Sequence, residues 1–147
     1  MVLILFFVVL LSCPPSWLHP GSPSPGVVGQ WITEEGKARV EIFQCDTTLC
    51  GRIVWARQQT ETSDTLLDIH NPDAALRDRP IIGLVILKSF AAEGNDRWTG
   101  GSVYDPESGS TYNATLELVD TNTLDLRGYI LIPLFGRTTT WTRVEQD

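Results

Sequence analysis

From residue 27 onward, apolar and polar residues alternate in short runs, and each run ends in turn-forming residues. GQWIT (29–33) is the first, closed by Glu34-Glu35-Gly36. ARVEIFQC (38–45) follows, with Val40, Ile42 and Gln44 on one face and Arg39, Glu41 and Phe43 on the other. A period of two places alternate side chains on opposite faces of a strand. The same reading assigns strands to CGRIVWAR (50–57), IIGLVILKSF (81–90), NDRWTGGSVY (95–104), TYNATLELV (111–119), TLDLRGYILI (123–132) and GRTTTWTRV (136–144). Glu93-Gly94-Asn95, DPESG, Asp120-Thr121-Asn122 and PLFG connect the later runs at hairpin lengths. Only one connection, residues 58–80, is long, and no segment carries a sustained helical period.

These runs predict an all-β domain of eight antiparallel strands in up-and-down order. Such a meander best removes its edges by closing into a barrel. Eight strands enclose a space that side chains nearly fill or that holds one small ligand. Tyr112, Ala114, Leu116 and Leu118 are expected to point inward, as are Leu124, Leu126, Gly128 and Ile130. Gly128, and one of Gly100 and Gly101, are expected at bends where the barrel closes. Alternate connections of a meander lie at the same end. EEG, the long loop, DPESG and PLFG should therefore share one mouth, with Trp31 at the opposite end.

The first residues stand apart. MVLILFFVVLLS is an apolar run too short for a membrane-spanning helix, which takes about 20 residues, and it suits the core of a secretory signal. No Lys or Arg precedes it. The run ends in Leu10-Leu11-Ser12-Cys13, which resembles a bacterial lipobox with Cys13 as the lipidated residue; ordinary cleavage before Gly26 is the alternative. The Pro-, Ser- and Gly-rich stretch that follows reads as a tether. Residues 1–25 are thus assigned to a signal and tether and residues 26–147 to the barrel, with export to the periplasm or cell envelope expected.

Charge narrows the partners. The 147 residues carry 11 basic and 18 acidic side chains, a net charge of −7, whereas nucleic-acid binding demands a basic face. Cys45 and Cys50, in FQCDTTLCGR, have no second pair and no nearby His, so a zinc site is disfavoured. In an exported protein they read as a disulfide across a hairpin, with two free thiols as the alternative.

Two sets of residues carry a resemblance. Gly29-Gln30-Trp31 resembles the G-x-W at the start of lipocalin-like (calycin) barrels, where the Trp packs at the closed end under a basic residue of the last strand; Arg143 offers that residue here. LCGRIVW (49–55), DIHNPDAALRDRPIIGL (68–84), WTGGSVYDPESGSTY (98–112), LRGY (126–129) and GRTTTWTRV (136–144) extend the match. In that order they resemble the bacterial domain-of-unknown-function 2147 family. The resemblance implies an exported lipocalin-like barrel with Gly29, Trp31 and Arg143 at its base. It supplies no catalytic residues.

Candidate ligand contacts at the mouth are Trp55, Arg57, Tyr104, Tyr112 and Arg137, with Arg77 and Arg79 on the long loop. Aromatic walls and a few cations suit a small hydrophobic, amphipathic or acidic ligand. The alternative is a filled barrel acting as a structural or protein-interaction module of the envelope. On the loop, Asn71 is expected to cap a single helical turn begun by Pro72 and Asp73, with Leu76 tucked toward the barrel. Arg77 and Arg79 have Asp68, Asp73 and Asp78 within reach. Asp64, Asp68, Asn71 and Asp73 do not follow the EF-hand spacing, and no metal or cofactor is expected. No G-x-S-x-G or H-E-x-x-H occurs, and the only histidines are His19 and His70, so no enzymatic activity is expected. Nothing in the sequence sets an oligomeric state.

Overall fold

The computed structural model describes residues 26–58 and 64–145. The leader 1–25, with Cys13 and His19, lies outside the described residues. The rest is a closed barrel of eight antiparallel strands in sequence order. They are β1 (Gly29–Ile32), β2 (Ala38–Cys45), β3 (Thr48–Ala56), β4 (Val85–Ala92), β5 (Arg97–Asp105), β6 (Ser110–Asp120), β7 (Thr123–Tyr129) and β8 (Gly136–Arg143). β1 closes the ring on β8 through Trp31 opposite Arg143 and Ile32 opposite Thr142.

The inward residues form one core, including Trp31, Val40, Ile42, Leu87, Phe90, Ala114, Leu116, Leu124 and Trp141. Each large aliphatic or aromatic side chain removed from water contributes about 1.5–3 kcal/mol before entropy is counted. Ala114, Leu116, Leu124 and Leu126 are buried, as their alternation predicts.

Local irregularities change the register in four strand pairs, β2–β3, β3–β4, β5–β6 and β6–β7, and those on β3, β4 and β5 decide which side chains face inward. On β3 one extra residue separates Ile53, opposite Val40, from Trp55, opposite Arg39. This bulge turns Trp55 away from the inward side it would occupy in a regular strand. On β5 the register shifts between Trp98 and Gly101. Gly100, with φ of 70°, is exposed, and Gly101 is the inward glycine. A Cβ on Gly101 would lie 2.5 Å from the Phe90 ring, so the ring packs directly on the backbone there. On β4, Ser89 has φ of 62°, and both Lys88 and Ser89 are exposed between buried Leu87 and Phe90.

Two strand ends are shorter than the apolar runs suggest. Ile81–Leu84 belong to the return of the long loop: Ile81 N–H donates to Leu66 O (2.9 Å), and Gly83 N–H donates to Ile53 O (2.7 Å). The ladder begins only at Val85. β7 stops at Tyr129, because Leu131 adopts φ of 65° and a 3-10 turn at Pro133–Phe135 follows. Ile130, expected inside, is consequently 61% exposed.

Cys45 and Cys50 are disulfide-bonded, with Cα atoms 5.7 Å apart. They are diagonal partners rather than directly opposed. Cys45 pairs with Thr48 and Cys50 with Phe43, so the bond crosses the outer face of the hairpin.

Candidate functional site

The base is built where the first strand meets the last. Gly29 has φ of 134°, and a Cβ there would sit 3.0 Å from Arg143 Nη1. Glycine therefore lets the guanidinium of Arg143 settle 4.2 Å from the centroid of the Trp31 ring. Arg143 also donates to Thr121 O (2.6 Å), Gly26 O (2.7 Å) and Val28 O (3.3 Å). Trp31 Nε1–H donates to Val27 O at 2.8 Å. Burial draws the Arg143 pKa down from the ordinary arginine value. This cluster ties the entering chain to the last strand and closes that end.

The opposite end is open. A cavity of about 780 Å³ runs inward from it, with apolar walls that include Val40, Ile53, Ile86, Val103, Leu126 and Trp141. The turn after β1, the β5–β6 turn and the β7–β8 connection contribute Glu34 and Glu35, Pro106 and Glu107, and Leu134 and Phe135, as the parity of a meander predicts. Leu134 and Phe135 are 77% and 69% exposed, so the β7–β8 connection presents an apolar lip. A second cavity of about 400 Å³ lies between the barrel and the long loop, lined by Ala56, Leu66, Ile69, His70 and Ile81 among others. Its volume falls in the range of about 300–1,000 Å³ common for small-molecule sites, as does that of the first.

The expected ligand contacts divide. Tyr112 and Arg137 line the first cavity and Arg57 the second. Trp55 lines neither: the β3 bulge turns it outward, where the Arg39 guanidinium lies 5.3 Å from its ring centroid. Tyr104, Arg77 and Arg79 also line neither, because they are bound up in the loop.

That loop is organised around Asp68, which is fully buried. Tyr104 Oη donates to Asp68 Oδ1 (2.6 Å), while Asn71 Nδ2 and Arg79 Nε each donate to Oδ2 (2.8 Å). Burial alone pushes the carboxyl pKa up; the hydrogen bonds from Tyr104, Asn71 and Arg79 outweigh it and hold the value below that of an ordinary aspartate. Burial, with the carboxylate as acceptor, raises the Tyr104 pKa, so its phenol keeps its proton. Arg77 Nε donates to Asn71 O (2.8 Å) rather than to a carboxylate.

The helical turn forms at Ala74–Leu76, but Asp73 is its cap, accepting from Ala75 N–H at 3.0 Å. Asn71 acts one step earlier: its Oδ1 accepts from Asp73 N–H (2.9 Å) while its amide holds Asp68. Asn71 is thus recruited to the buried carboxylate instead of the helix end, and Leu76 stays 38% exposed. His70 O approaches the β5–β6 turn so closely that Gly109 leaves no room for a Cβ. The loop is clamped against the outer end of β5 and roofs the second cavity.

The mouth is electrically balanced. Lys37, Arg57 and Arg137 line the two cavities together with Glu34, Glu35 and Glu107. Arg137 pairs with Glu34 (2.9 Å), and Lys37 with Glu35 (3.2 Å) and Glu107 (3.8 Å). Arg57 donates to Glu35 O at 2.9 Å. Glu35 and then Glu107 hold the Lys37 pKa above the ordinary lysine value. Of the cations expected at the mouth, Arg137 is thus paired with a carboxylate on a turn and Arg57 is hydrogen-bonded to a turn carbonyl.

A family profile described as "Uncharacterized protein conserved in bacteria (DUF2147)" matches residues 29–143. The chain belongs to the DUF2147 family. Its barrel is similar to the solved structure of protein HP1028 from Helicobacter pylori, described as belonging to the lipocalin family. The TM-score is 0.73 at 23% identity, over 81% of this chain and 83% of that one. No curated protein matches. At that identity the likeness establishes a lipocalin-like fold for this DUF2147 chain.

Glu34, Glu35, Lys37, Pro106, Glu107, Leu134 and Phe135 line the mouth without being among the contacts that residue type suggests. All but Lys37 lie on the EEG, DPESG and PLFG connections, within reach of the parity argument. Among the described residues, no group of three or more His, Cys, Asp and Glu side chains is arranged to hold a metal ion, and no helix is long and apolar enough to cross a membrane.

Proposed function

We propose that this protein is an exported envelope protein that binds one small amphipathic molecule at the barrel mouth. The carrying observation is the open cavity of about 780 Å³ with apolar walls below a rim of paired charges. An apolar body entering that space leaves water, and its polar end stays at the rim among Lys37, Arg137, Glu34 and Glu107. Three cations facing three carboxylates favour a neutral or zwitterionic head over a simple anion. Export to the periplasm or cell envelope is supported by the apolar leader and by the Cys45–Cys50 disulfide, a bond that persists in oxidising compartments. The same proposal includes Cys13 as a candidate lipid anchor.

Native mass spectrometry of protein released gently from its own envelope tests the reading, together with titration by an environment-sensitive apolar dye. A co-purifying mass and saturable dye binding displaced by amphipaths are expected. No added mass and no saturable binding would overturn it. In that event the second reading stands: a module acting through its surface, favoured by the exposed lip Ile130, Leu131, Ile132, Leu134 and Phe135.

A further inference from the structure

We infer that the two cavities are arms of one branched site for a two-chain zwitterionic amphipath, a diacyl phospholipid with an ethanolamine head. One chain occupies the barrel arm, the second lies under the long loop, and the head sits between them. This rests on the reading that the mouth takes an amphipath and adds its class.

The first support is continuity. Lys37, Ala38, Ile53, Pro106 and Glu107 line both cavities, so the arms meet along a common wall. The second is the cause of the opening. Ala38 and Ala56 are directly paired on the inward faces of β2 and β3, where the next inward pair is Val40 and Ile53. Two alanines at the mouth end of these strands leave the space that larger side chains fill deeper in the barrel. That space opens onto Leu66 and Ile81 beneath the loop. A ligand with a single straight tail uses only one of these directions.

The third support is the chemistry at the branch. The head of a two-chain lipid must sit where the arms join, and the polar groups there are Lys37 and Glu107, 3.8 Å apart. An ammonium and a carboxylate side by side complement a phosphate and an amine. Glu35, also on Lys37 at 3.2 Å, keeps the ammonium charged. An anionic head would meet Glu107 and Glu35 with no amine to offer them.

The test uses short-chain lipids soluble as monomers, in competition with an apolar dye on the full chain. Dihexanoyl phosphatidylethanolamine should displace dye at a concentration at least about tenfold below that of its monohexanoyl counterpart, the factor reached once roughly two methylenes of the second chain leave water. Dihexanoyl phosphatidylglycerol should be weaker than the ethanolamine lipid. Ala56→Leu narrows only the loop arm and should bring the two ethanolamine lipids within twofold. Monododecanoyl phosphatidylethanolamine, with the same number of acyl carbons on one chain, should be unaffected. Ala56 is buried, so Ile69→Glu, at a position 60% exposed on the loop-arm wall, provides a second variant that leaves the core intact. Equal displacement by one- and two-chain lipids in the unaltered protein would overturn the branched site and leave the mouth reading standing. Equal losses for the dihexanoyl and monododecanoyl lipids in both variants would overturn it too, in favour of one bent chain. Failure of every lipid to displace the dye would overturn both readings.

Discussion

Replacing Arg79 by Ala removes the only cation within salt-bridge distance of the buried Asp68 carboxylate among the described residues. Breaking a buried pair by deleting one partner costs about 3–5 kcal/mol, since the remaining charge stays desolvated. Arg79 is 35% exposed at its side chain, so water recovers part of that loss, and Tyr104 and Asn71 still donate to Asp68. The expected cost is therefore about 2–3 kcal/mol. Arg77→Ala is the matched control. It removes one part-buried hydrogen bond, to Asn71 O, without leaving a buried charge unpaired, and should cost about 1 kcal/mol. The readout is amide hydrogen exchange at Asp68, whose N–H donates to Arg79 O, and at Ile81, whose N–H donates to Leu66 O. Arg79→Ala should speed exchange at both by roughly 30- to 150-fold, and Arg77→Ala by no more than about fivefold. Amides of the β6–β7 ladder should be unaffected by either. Equal effects of the two substitutions would refute the view that the buried carboxylate holds the loop.

Acid should release the same loop. The folded-state pKa of Asp68 is depressed, so its contribution is complete above the ordinary aspartate value near about 4 and is lost as pH falls through the folded value. Asp68→Asn should flatten the acid dependence of exchange at Ile81 while lowering protection at neutral pH. Tyr104 runs the other way: its raised pKa means its contribution is complete below about pH 10 and is lost as pH climbs through the folded value. Tyr104→Phe should remove that alkaline limb. Gly101→Ala should lower the melting temperature by several degrees, because a methyl there collides with the Phe90 ring and overpacking costs about 1–3 kcal/mol. Gly128→Ala should leave it nearly unchanged, since its nearest neighbours would be 3.7 Å away. Replacing Cys45 and Cys50 together by Ser should reduce stability by about 2 kcal/mol in urea, as expected for so short a loop, while the circular dichroism spectrum of the barrel is retained.

Alternation along each run, and turn residues at hairpin spacing, determined the strand number, the up-and-down order and the closed ring. Both signals are local: a period of two sets which face a side chain takes, and a turn depends on a few adjacent residues. Connection order alone determined that the EEG, DPESG and PLFG turns meet at one mouth. Gly29, Trp31 and Arg143 were legible as the base through resemblance, and the geometry supplies the reason, since a Cβ on Gly29 would crowd Arg143.

Tertiary structure decided the rest. An extra residue in β3 costs little locally yet reverses Trp55, and nothing in RIVWAR marks which residue is added. A comparable shift in β5 put Gly101, not Gly100, under Phe90. Arg79 had several carboxylates in reach along the chain; only folding buried Asp68 and made that pairing dominant, drawing Asn71 from its expected cap. The cavity at the mouth is walled by residues from β2, β3, β4, β5, β6, β7 and β8 and by three connections, so its size depends on register across the whole ring. Volume and charge balance at a mouth arise from residues far apart in sequence, and pattern within single segments carries no measure of either.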